Sequence, residues 1–326
     1  MDTLNDIILK SNVFYNVNKK TFEDIIPTDL EFEVITEPTI IMNTLHSCFS
    51  HAILDSCFPI FWIIDDLLKS EKIANANIRI FINEKKIMLY PKQNLPMIDE
   101  VGQCYKGVFN EIINLLTPYP IYFQHLLKTN YVFKTCIFYP DNDRWQRTPW
   151  NCFDYYPGRN IPRDKIRFTD TVIYEKLSLF RNHVFKKTKT SIRNLSTKKL
   201  MIIDRKYNRK IESSKLELLI QEAEQNKNLN FTRVTILEDL LFEEQINLFA
   251  NHNVYIFRHG SCLIHLLWIP NNSIIFELEG GPNGIKSPMV IPRLCKLTNS
   301  KHILLNYNDY NCKNDIFKFL EGDSKE

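Results

Sequence analysis

The chain has 326 residues, of which 44% are hydrophobic and 24% are charged, and its net charge is +3. This length exceeds what a single hydrophobic core usually fills, so the sequence predicts two domains. The net charge is too small for a protein that binds nucleic acid through bulk electrostatics. Composition and charge therefore favour a two-domain globular protein and argue against a nucleic-acid-binding one.

The sequence gives no sign of export, membrane insertion or a metal centre. Its N-terminus lacks the basic region and apolar core of a signal peptide, and Asp55, Asp65 and Asp66 interrupt the most apolar stretch. The eight cysteines are scattered and form no C-x-x-C pair, so neither a zinc site nor a disulfide framework is expected. We expect a cytoplasmic protein without a transmembrane segment, metal or cofactor. The frequent Ile, Asn and Lys suggest an AT-rich genome, such as that of a large DNA virus or an AT-rich microbe.

The N-terminal half predicts mixed α/β structure, because alternating and helical hydrophobic spacings occur side by side. The predicted strands cover 30–35, 78–82, 86–90 and 131–139, and the predicted helices cover 47–70, 97–117 and 169–185.

A long segment without regular spacing, 140–167, follows the last of these strands. A connection of this length inside a compact domain is usually functional or disordered, and its many aromatic residues argue against disorder. Trp145 and Tyr155 are candidates to stack on the face of a sugar ring, although an aromatic plug in the core explains them equally well. Asp141-Asn-Asp143 is the nearest match to a metal-binding Asp-x-Asp pair.

Residues 181–199 hold seven basic side chains and no acidic one. Their Ser, Thr and Asn content predicts a solvated linker, which places the domains at 1–190 and 191–326. Two alternatives are a positive rim that attracts an anionic ligand and a surface that contacts nucleic acid directly.

From residue 200 onward, apolar strands alternate with amphipathic helices. The strands are predicted at 200–204, 231–236, 253–257, 273–278 and 302–306, and the helices at 213–225, 238–251, 261–268, 288–296 and 313–320. Such alternation predicts a parallel, doubly wound sheet, whose ligands bind beyond the carboxyl ends of the strands. Arg205, His259 and Glu277 each lie at or just after such an end. Ser261 is the predicted N-cap of a helix whose N-terminus suits a diphosphate.

Three sequence blocks resemble those of glycosyltransferase family 61. The C-terminal block is Arg258-His-Gly-Ser-x-Leu263 followed by Pro270-x-x-Ser273-x-x-x-Glu277, and the upstream blocks are His51-x-x-x-Asp55-x-x-x-Pro59 and Met201-Ile-Ile-Asp-Arg205-x-x-x-Arg209. Cys262 and His265 stand where the family often has Gly and Asn. The resemblance implies an inverting, metal-independent enzyme with the GT-B fold, in which two Rossmann-like domains face each other across a cleft. It also implies a nucleotide-sugar donor, with UDP as the expected nucleotide, and a glycan or protein-linked acceptor.

His51 and Asp55 are the candidate catalytic residues. They stand one helical turn apart and share a face, and the proline at position 59 predicts a kink or restart of their helix. Asp55 is the first choice for the base that takes the acceptor proton, and His51 is its partner, although the two roles are interchangeable. A structural pair on a surface turn remains the alternative.

The remaining candidates are assigned to the donor. Guanidinium groups match phosphate oxygens in two-point contacts, so Arg205 and Arg209 are expected at the diphosphate. His259, Gly260 and Ser261 are expected near the same phosphates, Glu277 at the ribose, and Asn283 in a glycine-rich turn. Glu279 shares a strand face with Glu277, and only the resemblance favours Glu277. A catalytically inactive module that binds nucleotide or glycan as a scaffold is the alternative function.

Overall fold

The computed structural model divides the chain into two compact units whose boundary lies between Ile173 and Tyr174. Most of the helix predicted at 169–185 therefore belongs to the second unit and not to the N-terminal domain. The second unit begins earlier in the chain than the predicted boundary at residue 190. The residues described are 13–15, 32–42, 52–82, 97–98, 103–106, 108–119, 121–123, 130–133, 136–139, 169–192, 195–205, 210–237, 240–279, 290–309 and 312–322.

The first unit contains two sheets. Nine strands are described in it: β1 (Val13–Tyr15), β2 (Phe32–Ile35), β3 (Thr39–Met42), β4 (Arg79–Ile82), β5 (Met97–Ile98), β6 (Gln103–Lys106), β7 (Ile121–Phe123), β8 (Asn130–Phe133) and β9 (Cys136–Tyr139). One sheet is mixed and has the order β5-β6-β7-β4-β3-β9, and the other has the parallel order β1-β8-β2. Mixed α/β structure, as predicted from the sequence, is therefore present in this unit.

The first described helical segment of this unit changes helix type along its length. A π-helix, Ala52–Cys57, leads directly into α1 (Phe58–Lys69), which carries Pro59 in its first turn. Proline is tolerated there because the first amides of a helix have no intrahelical partner. The change of helix type falls one residue before this proline, which is where the sequence predicted a kink or restart.

The prediction of one helix over 97–117 was wrong. That segment forms β5, the antiparallel β6 and then α2 (Val108–Leu116). The helical spacing of apolar residues agrees with the structure only at 108–116. In the earlier part of the segment, pairing between strands replaces the helix. The predicted strand at 86–90 lies outside the described residues, as do Trp145, Tyr155 and the Asp141-Asn-Asp143 segment.

The second unit is a five-stranded, fully parallel sheet, as the alternation of strands and helices predicted. Its strands are β10 (Lys198–Asp204), β11 (Leu229–Ile236), β12 (Val254–Arg258), β13 (Ile274–Glu279) and β14 (Lys301–Asn306), and its helices are α3 (Asp170–Lys187), α4 (Ser213–Gln225), α5 (Phe242–Ala250), a 3-10 helix (Ser261–Leu267), α6 (Val290–Leu297) and α7 (Cys312–Gly322). The spatial order is β11-β10-β12-β13-β14. The chain thus winds outward from β10 in both directions.

Both faces of this sheet are covered by apolar side chains, which is why its central strands read as continuous hydrophobic runs. On one face, α4 and α7 pack against β10, β12 and β13 through residues such as Leu219 and Ile316. On the other face, Trp268 packs against Phe180 of α3 and Phe242 of α5. Among the described helices, none combines the length and apolar content needed to cross a membrane.

Candidate functional site

The strand order creates a topological switch point between β10 and β12. The chain leaves β10 toward β11 on one side and leaves β12 toward β13 on the other, so a ligand-binding crevice is expected beyond the carboxyl ends of these two strands. Arg205 directly follows β10, and His259 directly follows β12. Because Ile203 pairs with Phe257, both residues lie two positions beyond a paired position of adjacent strands. The structure therefore brings Arg205 and His259 to the same point of the sheet edge.

A buried carboxylate shapes the loop that carries Arg205. Asp204 ends β10, is buried, and accepts a hydrogen bond of 2.8 Å from the backbone N–H of Ile211. This bond draws the far end of the loop back to the strand and fixes the position at which Arg205 leaves the sheet. Arg205 itself is half-buried, and Arg209 lies outside the described residues.

Three side chains form a hydrogen-bonded chain across β12, β13 and β14. Nδ1 of His259 lies 2.5 Å from one carboxylate oxygen of Glu277, and Nε2 of His302 lies 2.8 Å from the other. The Glu277 side chain has no exposed surface, whereas the rings of His259 and His302 retain 17% and 11% of theirs. Each carboxylate oxygen of Glu277 therefore contacts one of the two imidazole rings.

This arrangement corrects the role predicted for Glu277. The residue is the fourth of six in β13, so it lies inside the strand rather than at its end, and its side chain points to the face that the helices cover. A carboxylate that is fully buried and bonded at both oxygens does not face a ribose. It instead contacts His259 at Nδ1 and so fixes the orientation of that ring.

Glu279 occupies the position that was predicted for Glu277. It is the last residue of β13, is half-buried, and its Oε1 has no hydrogen-bond partner in the part of the chain that the structure describes. A buried carboxylate oxygen without a partner is costly unless a ligand or water completes its hydrogen bonds. The structure thus separates two glutamates that the sequence could not distinguish.

The segment after His259 differs from the predicted α-helix. Gly260, and not Ser261, occupies the N-cap position, and its carbonyl accepts a 3.1 Å bond from the amide of Leu263. The helix is of the 3-10 type and spans seven residues, which gives it a smaller dipole than a regular helix. The contribution that the sequence predicted for a helix N-terminus at this edge is therefore smaller than expected. Asn283 lies outside the described residues.

Two cations near the switch point were missed by sequence reasoning. The Arg258 guanidinium lies 4.0 Å and the Lys215 ammonium 4.1 Å from the centre of the Tyr307 ring. Lys215 also donates a 2.7 Å hydrogen bond to the Tyr307 carbonyl. The tyrosine follows β14 and holds both cations near the carboxyl edge of the sheet. Only the position of Arg258 at the end of a predicted strand could have indicated this cluster.

The two departures from the family pattern lie in the core. His265 has no exposed surface and stacks on Phe249 with ring centres 4.5 Å apart, and Cys262 is buried as well. Desolvation lowers the pKa of His265 to about 3, so the ring is neutral in the folded protein at ordinary pH. These positions therefore affect core packing instead of lining the crevice.

The buried His265 predicts an acid-sensitive fold. Its pKa is about 3 in the folded chain and about 6.5 when exposed, so the unfolded state binds more protons between these values. Its contribution to stability is present above pH 6.5 and is lost as the pH falls toward 3. We expect His265 to remove about 2 kcal/mol of unfolding free energy between pH 7 and pH 5.

Urea unfolding at the two pH values measures this effect. Neither His265→Asn nor His265→Phe titrates, so each should reduce the loss between pH 7 and pH 5 by about 2 kcal/mol, whatever its own effect on stability. If both variants keep the wild-type difference, His265 is not the group that titrates.

In the first unit, the candidate base lies in unusual backbone. Asp55 belongs to the π-helix Ala52–Cys57. Such segments are rare in proteins as a whole, but those that occur are often found at functional sites. The side chain of Asp55 and the whole of His51 lie outside what the structure describes. The pairing of these two residues therefore stays a prediction.

Neither a metal cluster nor a reactive thiol is found among the described residues. No group of three or more His, Cys, Asp or Glu is arranged to hold a metal ion there. The described free cysteines, Cys57, Cys262 and Cys295, are buried. Burial, together with the nearby charge of Glu277, raises the pKa of Cys295 to about 12, so this thiol stays protonated.

Comparison with known families decides the class of the protein. The family model of Glycosyltransferase 61 matches residues 49–276, well over half of the chain. The chain belongs to glycosyltransferase family 61. Membership implies glycosyltransferase activity, and the match begins before Asp55 and covers Arg205 and His259. No curated protein matches the chain.

The structure explains why two separated parts of the family 61 signature occur together. The hydroxyl of Ser273 donates a 2.8 Å bond to the carbonyl of Pro270, which closes the turn that leads into β13. That turn sets the start of the strand, and the strand carries Glu277 to within hydrogen-bond distance of His259. The proline and serine therefore have a structural role, which is to bring Glu277 into contact with His259.

Proposed function

We propose that this protein is an inverting glycosyltransferase that moves a sugar from a nucleotide-sugar donor, with UDP as the expected nucleotide, to a hydroxyl of a glycan or glycoprotein. The proposal includes a GT-B arrangement in which the second unit binds the donor and the first unit supplies the base. The observation that carries it is the switch point of the parallel sheet, which Arg205 and His259 flank. Family membership supplies the reaction class.

The donor diphosphate is assigned to the crevice beyond β10 and β12. Arg205 offers a planar fork of N–H donors that matches phosphate oxygens, and Arg209 is its expected partner. His259 contributes a ring nitrogen whose direction Glu277 fixes. The backbone at Gly260 and Ser261 begins the 3-10 helix at the same edge.

The nucleoside part is assigned to the carboxyl end of β13. Glu279 stands there with a carboxylate oxygen that has no described partner, and two ribose hydroxyls are donors that would satisfy it. Asn283, in the turn that follows, is the second candidate. This assignment replaces the direct contact that the sequence predicted for Glu277, which acts through His259 instead.

The chemistry is a single displacement. The acceptor oxygen attacks the anomeric carbon while its proton passes to Asp55, and the bond to the nucleoside diphosphate breaks on the opposite face of the sugar. A positioned carboxylate base contributes rate by accepting this proton in the transition state. Arg205 and His259 stabilise the negative charge that develops on the departing diphosphate. His51 orients the acceptor, and Trp145 and Tyr155 are its proposed stacking contacts.

A panel of nucleotide sugars tests this function. Purified protein is incubated with UDP- and GDP-sugars, with and without simple glycan acceptors, and release of the free nucleoside diphosphate is measured. We expect release from UDP-sugars, and we expect the rate to survive EDTA because the proposed mechanism uses no metal. Nucleotide binding without any release of nucleoside diphosphate would instead identify a scaffold. If the protein neither binds the nucleotide nor releases it from any nucleotide sugar, the proposal is contradicted.

A further inference from the structure

His302 lies beyond the segment that family 61 matches, and no sequence motif includes it. It is the second residue of β14 and pairs in register with Ile275 of β13. In parallel strands, paired residues share a face, so His302 lies on the same face as Glu277, diagonally across the ladder. Its Nε2 reaches the Glu277 carboxylate at 2.8 Å.

The contact restricts a torsion that the sheet itself leaves soft. The terminal carboxylate torsion of glutamate is broad and roughly two-fold, so a hydrogen bond at one oxygen does not fix the plane of the group. His259 holds one oxygen of Glu277 and His302 holds the other, from strands on opposite sides of β13. Two anchors from opposite sides define the carboxylate plane and therefore the direction of the His259 ring.

We propose that His302 is a positioning residue for donor chemistry: it locks the Glu277 carboxylate, which in turn aims His259 at the crevice between β10 and β12. The inference rests on the proposed function, in which His259 contacts the donor diphosphate. His302 touches neither donor nor acceptor and acts only through Glu277.

Burial explains why a second histidine is needed at this point. Glu277 has no exposed surface, so water does not reach its carboxylate. Without His302 the carboxylate would lose one of its two histidine contacts, and a turn of the group would take the His259 ring with it. The competing explanation is that His302 merely satisfies the buried charge. That explanation predicts a loss of stability without a specific loss of turnover.

Two substitutions separate these explanations. His302→Leu removes the donor, whereas His302→Gln keeps an amide N–H that can reach the same oxygen. We expect His302→Leu to lower kcat by about 10–100-fold, the range for a misplaced catalytic contact, while the donor KM changes by less than about threefold. His302→Gln should recover most of the lost kcat.

His252→Leu is the matched control. His252 is also buried, and its Nδ1 lies 2.8 Å from the Leu248 carbonyl, but it precedes β12 at the opposite edge of the same sheet. Its variant should lose thermal stability and keep wild-type kcat. If His302→Leu behaves like His252→Leu, with a lower Tm and unchanged kcat, the positioning role is overturned.

An NMR readout tests the same inference without turnover. The ¹⁵N shifts of the His259 ring report which nitrogen carries the proton. We expect one set of ring signals with a proton held at Nδ1 in the wild type and in His302→Gln, and mixed or exchanging signals in His302→Leu. Unchanged His259 signals in His302→Leu would refute the inference even if no donor is ever turned over. A failure of all donors with the expected ring signals would refute the proposed function alone.

Discussion

Replacing Asp55 with Asn should lower the rate of sugar transfer by about 10²–10⁴-fold, the contribution expected of a general base. Asparagine keeps the shape of the side chain and one hydrogen-bonding oxygen, but it does not accept the proton of the acceptor hydroxyl. Asp55 belongs to the first unit, whereas the donor is assigned to the second. Affinity for the nucleotide should therefore stay close to wild type, so the loss should be in turnover.

A neighbouring aspartate provides the matched control. Asp65 on α1 forms a 2.9 Å ion pair with Lys69 one turn later. Surface pairs of this kind contribute little to stability, so Asp65→Asn should keep both the fold and the transfer rate. Circular dichroism and thermal unfolding of both variants would show whether any loss of transfer follows from loss of structure.

His51→Ala tests which of the two candidate catalytic residues is the general base and which only orients the acceptor. If His51 only orients the acceptor, its variant should lose less rate than Asp55→Asn. If His51 is the base, its variant should lose as much or more. Near-normal transfer by Asp55→Asn would remove the assignment of Asp55, and near-normal transfer by both variants would leave this segment a structural role.

The second unit could be predicted closely because its signals are local and agree with one another. Helix α4 begins and ends where the apolar spacing indicated, and each predicted strand of this unit is present within two residues at each end. Buried parallel strands read as short apolar runs, and the helices between them have one apolar face. The segment 97–117 lacked this agreement. Its first part has a helical spacing of apolar residues, but it forms β5 and β6, and β6 pairs with β7.

The site was predictable only to the level of strand ends. That Arg205 and His259 converge followed from parallel topology alone, before any side chain was placed. The division of roles between Glu277 and Glu279 did not follow, because it depends on where β13 ends, and a shift of two residues moves a carboxylate from the core to the edge. The contact of His302 with Glu277 joins residues on adjacent strands, and no spacing along the chain encodes it.

Replacing Arg205 with Ala should weaken nucleotide binding by roughly 1.5–3 kcal/mol, the range for hydrogen bonds to charged groups. This corresponds to a rise in Kd of about 10–150-fold. The physical reason is the loss of a two-point contact at the switch point, where the buried bond between Asp204 and the Ile211 amide fixes the start of the loop. Isothermal titration calorimetry with UDP and GDP measures the change directly.

Two further variants separate the geometry of Arg205 from its charge. Arg205→Lys keeps the charge but not the planar fork, so it should recover only part of the lost affinity. Lys227→Ala removes an equal charge from an exposed residue that precedes β11, at the opposite edge of the same sheet, and should leave Kd unchanged. If Arg205→Ala binds nucleotide as tightly as the wild type, the diphosphate lies elsewhere. If Lys227→Ala is weakened equally, the effect of Arg205 reflects net charge. A loss confined to position 205, and only partly restored by lysine, is the pattern that a guanidinium bound to the diphosphate requires.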